Sequence, residues 1–314
     1  MRLSSDMLRL ALPVMALAVL LATVFWLRPN TMSANGLHLL FKLAVPVVLA
    51  TLAQMMILAV NDLDLSIGAF VSFVTCVTAT WLVDAPLVGW LILLAAVAAY
   101  AALGVVIAWR QLPAIVVTLG MSFVWTGLAV LILPSPGGAA PGWVATAMGW
   151  RPVIGDMRLP MGIILSFVIA ALAHLLIMRS AFGVLIRGVG GNERSVARAG
   201  WSTLRARGLA YGTAAVFAAA SGIALTGLMT SGDANIATRY TLLSIAGAIL
   251  GGSEFVGGRV SPVGAVFGAL TLMLAQSFLT FLSVPPDWQI GAQGVILIVI
   301  LALRLTLSRM EKAR

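Results

Sequence analysis

Apolar stretches of about twenty residues recur along the 314-residue chain, and nothing else in the sequence constrains the fold as tightly. They lie near 10–27, 37–59, 66–83, 87–109, 113–133, 159–178, 209–229, 240–252, 262–282 and 288–307. Hydrocarbon offers no partner for a backbone N–H or C=O, so such a segment crosses a bilayer as a helix, whose backbone bonds are internal. The expected fold is an all-α polytopic membrane protein, one domain over residues 1–314, with about ten transmembrane helices. The eighth is short, which predicts broken or re-entrant segments. With 61% apolar and 9% charged residues, the chain is far more apolar than a soluble globular domain, for which roughly 45–50% is usual.

An even number of spans places both termini on one side, and the basic residues say which. With the termini cytoplasmic, 14 Lys and Arg fall in inner segments: Arg2, Arg9, Arg110, the six of residues 179–208, Arg259, Arg304, Arg309, Lys312 and Arg314. Five fall outside, at Arg28, Lys42, Arg151, Arg158 and Arg239. The positive-inside rule then sets the orientation. It also accounts for the net charge of +9 without nucleic acid, because the cations lie between apolar runs and form no stripe. Arg2 and Arg9 precede the first span with no small-residue cleavage site behind it, which predicts a retained span and not a signal peptide.

Residues 134–160, with Pro134, Pro136, Gly137, Gly138, Pro141 and Gly142, hold too many helix breakers for a span. A structured periplasmic loop is expected there. Cys76 is the single cysteine, so no disulfide framework or thiolate metal set exists; a buried small hydrophobe is the reading. His38 and His174 have no second ligand one helical turn away, and no metal or cofactor is expected. Trp26, Trp81, Trp109, Trp150 and Trp288 stand at span ends and fit an interfacial belt. Gln54, Gln276 and Gln293 lie within or near spans, as interhelical hydrogen bonders or partners for a hydroxylated solute. No G-x-x-x-x-G-K-[ST] occurs, and neither Lys42 nor Lys312 follows a glycine. The chain cannot hydrolyse ATP by a P-loop mechanism and is not itself an enzyme.

Residues 179–208, RSAFGVLIRGVGGNERSVARAGWSTLRARG, carry six Arg and one Glu. Each Arg would cost about 2.5–3.5 kcal/mol at mid-bilayer, so the segment is expected in water or at a headgroup surface. Asn192 is a good N-cap, Glu193 favours the first turn and Gly200 is a plausible stop, which predicts a two-turn helix over Glu193 to Ala199. Glu193 and Ala197, and Val196 and Gly200, are spaced to share one side of it. Residues 190–200, with Gly190, Gly191, Asn192, Glu193, Ala197 and Gly200, resemble the cytoplasmic coupling segment of sugar-type ABC importer permeases, the ribose-permease-like family within the branched-chain amino acid/monosaccharide permease superfamily. The resemblance implies that this segment, with Arg187 before it, docks on an ATPase subunit. The alternative is a basic loop that fixes topology and touches anionic lipid.

Three further stretches carry the same resemblance, in the same order. Asp64 to Gly68, DLSIG, matches the family's DLSVG-type motif beside the translocation pathway, with Asn61 and Asp62 where the family has two glycines. This implies pathway roles for Asn61, Asp62, Asp64, Ser66 and Gly68; a short solvated turn is the alternative. Residues 113–120, PAIVVTLG, resemble a segment ending in Val-Thr-Leu-Gly and add Thr118 to the pathway, unless its hydroxyl merely returns to its own helix. Residues 239–268 resemble the glycine-rich signature, with Leu243-Ser244 in place of an acidic residue. Gly251, Gly252, Gly257 and Gly258 around Glu254 suggest a helix break, since irregular backbone at membrane depth survives only against protein or a wet cavity.

The resemblance implies a multi-pass permease of the bacterial inner membrane, importing a monosaccharide or similar small neutral polyhydroxylated solute. It also implies partners: an ATP-binding-cassette ATPase subunit, a periplasmic solute-binding protein, and a second permease chain in a homo- or heterodimer, all in contact with membrane lipid. An autoinducer, a nucleoside or a branched-chain amino acid is an alternative cargo. A secondary transporter would need intramembrane acids, and its candidates are Asp62, Asp64 and Glu254. No nucleophile–base or metal constellation supports a membrane enzyme.

Overall fold

The computed structural model describes residues 5–154, 157–255 and 257–285, together with 288, 291, 294, 295, 298 and 302. The stretch expected as a span at 288–307, and Gln293 within it, therefore lie largely outside the described residues. The chain is helical in the order α1 (Ser5–Leu27), a 3₁₀ turn (Pro29–Met32), α2 (Ala34–Leu40), α3 (Ala44–Ala59), α4 (Ile67–Ala79), α5 (Trp81–Asp84), α6 (Pro86–Arg110) and α7 (Ala114–Ile132). It continues through α8 (Gly142–Gly149), strands β1 (Val153–Ile154) and β2 (Met157–Arg158), α9 (Met161–Met178), α10 (Ala181–Arg198), α11 (Thr203–Met229), α12 (Tyr240–Leu250) and α13 (Pro262–Phe281).

Among the described residues six helical stretches are long and apolar enough to cross a membrane: Ile67–Asp84, α6, α7, α9, α11 and α13. A seventh forms if α2 and α3, bent by 42° at a short break, count as one. The expected eighth span is only the 11-residue α12, and Pro13–Leu27 of α1 is likewise a shorter apolar helix.

All 16 residues of α3 are buried, and α4 is buried almost throughout. These helices form the centre, with α11, α12 and α13 against them. By contrast α7 and α9 expose most of their apolar side chains, as helices facing lipid do. Small residues let the central backbones approach. On α11 the buried run Ala210, Ala214, Ala215, Ala218, Ser221 and Gly222 meets α3, α4 and α6, and the Ser221 hydroxyl donates to the Pro46 carbonyl at 2.6 Å. The α12–α13 hairpin closes on glycine. A Cβ at Gly251 would stand 2.3 Å from the Gly264 carbonyl, and one at Gly268 would stand 2.1 Å from the Gly247 oxygen.

The described residues between 134 and 160 include α8 and the antiparallel pair β1–β2, in which Val153 faces Arg158. Gly137 and Gly232 exchange backbone hydrogen bonds of 3.0 and 2.8 Å, which ties this segment to the α11–α12 connection.

One expectation needs correction at residues 179–208. The helix is not confined to Glu193–Ala199: α10 begins at Ala181, where the Ser180 hydroxyl caps Gly183 N–H at 3.0 Å. Its first part holds because Gly183, Ile186 and Val189 recur at helical spacing and are buried. Non-helical angles at Asn192 (φ −159°, ψ 90°) then split it. The second part is built as the sequence suggested. Asn192 Oδ1 accepts from Ser195 N–H at 3.0 Å, and Gly200 at φ +84° lets Trp201 N–H reach the Val196 carbonyl at 3.2 Å.

Candidate functional site

The connection between α3 and α4 is held on every side. α3 ends in a Schellman turn, in which Asn61 N–H donates to the Leu58 carbonyl at 3.0 Å and Asp62 N–H to the Ile57 carbonyl at 3.2 Å. The turn puts Asn61 at φ +65°. Asparagine enters the left-handed region more readily than other side chains, which is how this chain keeps the turn with Asn61 in place of a glycine.

Beyond the turn, Asp64, Ser66 and Thr118 are fully buried. Asp64 Oδ1 accepts from Ser66 N–H at 2.6 Å and from the Ser66 hydroxyl at 2.7 Å, and Oδ2 accepts from the Tyr100 hydroxyl on α6. The Ser66 and Tyr100 hydroxyls lie 3.0 Å apart. With its amide assigned so that donor meets acceptor, Gln54 on α3 grips the Asp64 backbone, its nitrogen 3.0 Å from the carbonyl and its oxygen 3.2 Å from the N–H. Thr118 on α7 accepts Leu65 N–H at 3.1 Å. Its hydroxyl therefore serves the 61–68 connection as well as its own helix, where Ile115 O is 3.3 Å away. The Tyr100 ring is seated by Phe70, edge-on at 4.9 Å, and by Trp125, stacked at 6.2 Å.

The first turns of α4 press against the start of α12. Gly68 N–H donates to the Thr241 hydroxyl at 3.0 Å, and a Cβ at Gly68 would lie 2.5 Å from the Ala237 oxygen. One turn on, Ala237 N–H donates to the Ser72 hydroxyl at 3.0 Å, and the Thr75 hydroxyl reaches the Asp233 carbonyl at 3.2 Å. A polar seam thus runs between α4 and residues 233–241 through an otherwise apolar centre.

Asp62 points the other way. Its carboxylate meets Arg207 Nη1 at 3.2 Å and accepts from the Tyr211 hydroxyl at 3.2 Å, while Arg207 Nη2 holds Glu193 at 3.0 Å. Burial raises the Asp62 carboxyl above its ordinary range, against the pull of Arg207 and the Tyr211 hydroxyl. This corrects two expectations. Arg207 lies not in water but in the first turns of α11 with 15% of its side chain exposed. The four residues proposed to share one face of the 193–198 helix are also divided, since Glu193 and Val196 are half-buried while Ala197 and Gly200 are exposed.

The first part of α10 reaches the same connection through backbone. Gly258 N–H donates to the Ala59 carbonyl at 3.0 Å, and a Cβ at Gly190 would stand 1.9 Å from that oxygen and 2.5 Å from Gly258 N. Gly257 and Gly258 adopt φ of +72° and +70°, and a Cβ at Gly257 would come within 2.7 Å of Gly190 O and 2.6 Å of Asn61 Cβ. Gly252 is also at positive φ (+102°), and Arg187 Nε bonds back to Gly183 O at 3.2 Å. Gly191, Asn192 and Ala197 face out, and Gly191 has open space around it.

The structure thus brings Asp64, Ser66, Gly68 and Thr118 into one buried junction, and joins Asp62 and Asn61 to Glu193, Gly190 and Gly257 in a second. Sequence reasoning missed Tyr100, Tyr211, Thr241 and the role of Arg207. A signal existed for two of them. Tyr100 lies well inside the expected 87–109 span, away from the span ends where the tryptophans gather, and Arg207 and Tyr211 are one helical turn apart. Among the described residues no group of three or more His, Cys, Asp or Glu is placed to hold a metal ion. The junction side chains bond to backbone at Leu65, Ser66 and Gly68.

Fold and junctions define a multi-pass helical membrane protein whose polar groups lock irregular backbone between packed helices. The chain belongs to the family described as branched-chain amino acid transport system / permease component, whose model matches residues 36–301. It is 26% identical over 292 residues to the ribose import permease protein RbsC of Escherichia coli (strain K12), covering 91% of this chain and 90% of that one. It is 26% identical over 305 residues to the autoinducer 2 import system permease protein LsrC of Salmonella choleraesuis (strain SC-B67), covering 90% and 84%. Against the Salmonella typhi LsrC it is 25% identical over 328 residues, covering 98% and 90%. No solved structure matches.

Proposed function

We propose that the chain is the transmembrane permease subunit of an ATP-binding-cassette importer, moving a monosaccharide or similar small neutral polyhydroxylated solute into the cytoplasm. The observation that carries this reading is the alignment, over nine-tenths of the chain, with permeases named for ribose import. The equal identity to autoinducer 2 permeases gives that cargo a second claim. In this reading the chain crosses the inner membrane about ten times with both termini and residues 179–208 in the cytoplasm and 134–158 in the periplasm. Two permease chains frame the route, a periplasmic binding protein delivers the solute, and ATPase subunits on the cytoplasmic face supply the work.

The acids fit this reading better than an ion-coupled one. Asp62 is paired with Arg207, Asp64 is saturated by Tyr100 and Ser66, and Glu254 is 3.5 Å from Arg259. A proton or sodium relay needs an acid that can exchange its partner. The seam along α4 borders the route, with Asp64, Ser66 and Thr118 holding it and Asn61 and Asp62 at its cytoplasmic end. Arg187, Gly190 and Gly191 carry the coupling segment, Gly251, Gly252, Gly257 and Gly258 form the helix break, and the exposed side of residues 192–200, with Ala197 and Gly200, meets the ATPase.

Co-expression with candidate ATPase and binding-protein subunits from the same organism tests the assembly. The purified complex is expected to hydrolyse ATP faster when binding protein loaded with D-ribose or autoinducer 2 is added. A permease that never co-purifies with an ATPase subunit is not the protein described here.

A further inference from the structure

Arg207 joins two segments that the sequence places 131 residues apart, the α3–α4 connection at Asp62 and the 193–198 helix at Glu193. Its guanidinium divides between them, Nη1 to Asp62 and Nη2 to Glu193, and Nε has no hydrogen-bond partner among the described residues. The environment makes the link strong. Asp62 is 8% exposed and Arg207 15%, so both charges are largely shielded from water, and a planar guanidinium fixes the direction of each bond it makes. Tyr211, one turn along α11, adds its hydroxyl to Asp62 and keeps that carboxylate facing Arg207.

The two parts of α10 are held differently. The part before Asn192 is pinned by backbone, with Gly190 against the Ala59 carbonyl and Gly258. The part after it hangs from a break at Asn192, beside Gly191, which nothing crowds. From that outer part Glu193 and Val196 turn toward the body while its other residues face out. A force applied to the outer part can therefore bend the chain at Asn192 while Glu193 carries Arg207, and with it Asp62.

We propose that Arg207 is a positioning residue of the transport cycle, through which displacement of the Glu193–Arg198 helix is passed to the Asp62–Ser66 connection. This rests on the importer reading above. Arg207 touches no solute in this account. It acts on the register of the 61–68 segment, whose continuation Asp64–Ser66 anchors α4.

Hydrogen–deuterium exchange on the whole complex, permease with its ATPase subunits in nanodiscs, reads this without knowledge of the solute. Exchange of the 60–66 and 193–200 peptides is compared with and without Mg·ATP for wild type, Arg207→Gln, Glu193→Gln and the double variant. The proposal expects ATP to change exchange of both peptides in wild type. In each single variant the ATP-dependent change at 60–66 is lost while that at 193–200 remains, and the double variant loses no more than either single one. A purely architectural Arg207 gives a different pattern: exchange at 60–66 rises equally with and without ATP, and the ATP-dependent difference persists. That result, or a wild type in which ATP leaves 60–66 unchanged, overturns the proposal. Should Arg207→Gln fail to fold, the half-exposed Glu193→Gln decides alone. A wild-type chain that forms no ATP-hydrolysing complex refutes the importer reading instead, and is recognised before any variant is made.

Discussion

Tyr100 donates its hydroxyl to Asp64 Oδ2, with both side chains fully buried. The bond spans α6 and the α3–α4 connection and is the clearest sign that Asp64 is a scaffold carboxylate. With Ser66 on Oδ1, both oxygens have donors at the point where α4 begins.

Removing the phenolic hydroxyl should therefore destabilise without disturbing the apolar packing. Tyr100→Phe leaves a buried carboxylate oxygen unpartnered, which costs about 1–3 kcal/mol or more. A lower melting midpoint of the detergent-solubilised permease is expected. Asp64→Ala should fall further than Asp64→Asn, because asparagine keeps an acceptor for Ser66 N–H. Equal midpoints for those two variants would argue that the cap is immaterial.

Thr118 offers a second test of the same junction. Thr118→Val keeps the shape but removes the acceptor for Leu65 N–H, at a cost of about 1–3 kcal/mol, whereas Thr118→Ser keeps it. Amide exchange at Leu65 should quicken in the valine variant only. Protection that survives Thr118→Val would mean the bond to Leu65 is not what holds the connection.

Adjacent glycines separate contact from composition. A Cβ at Gly190 would sit 1.9 Å from a backbone oxygen that cannot swing aside, while Gly191 has nothing within 4 Å. Overpacking against backbone costs about 1–3 kcal/mol and occasionally more. Gly190→Ala should lose the monodisperse peak in fluorescence-detected size exclusion, and Gly191→Ala should keep it. Indifference to both would remove the junction of α10 with Ala59 and Gly258.

How much of this was legible from sequence depends on range. Local signals read true: the capping of 193–198 by Asn192 and its stop at Gly200 need only neighbouring residues. The first part of α10 was hidden because Arg187 and four glycines from residue 183 to 191 read as a loop, although the apolar spacing that buries Ile186 and Val189 was there. Charge misled at Arg207 for a different reason. An arginine looks solvated until Asp62, 145 residues away, is brought to it. Likewise Thr118 looked like a residue bonded to its own helix until the chain returned Leu65 from 53 residues away. The short eighth stretch was also legible, since the glycines at 251 and 252 that suggested a break follow directly on the 11-residue α12.

Orientation can be read by labelling. In a Cys76→Ala background, cysteines at Ser195 and Ala139, both exposed, should react on opposite faces of intact spheroplasts. A membrane-impermeant maleimide is expected to reach position 139 and to reach position 195 only after lysis. The reverse order would invert the topology derived from the 14-to-5 distribution of basic residues.

The most direct test of the importer assignment is uptake by proteoliposomes holding the permease, its ATPase subunits and ATP in the lumen, with D-ribose- or autoinducer-2-loaded binding protein outside. Accumulation of at least one of the two solutes should require luminal ATP, the binding protein and an intact ATPase, and should continue after an uncoupler and a sodium ionophore collapse the proton and sodium gradients. Uptake that proceeds without ATP and stops when those gradients are collapsed would contradict the account and favour Asp62, Asp64 and Glu254 as ion-coupling acids.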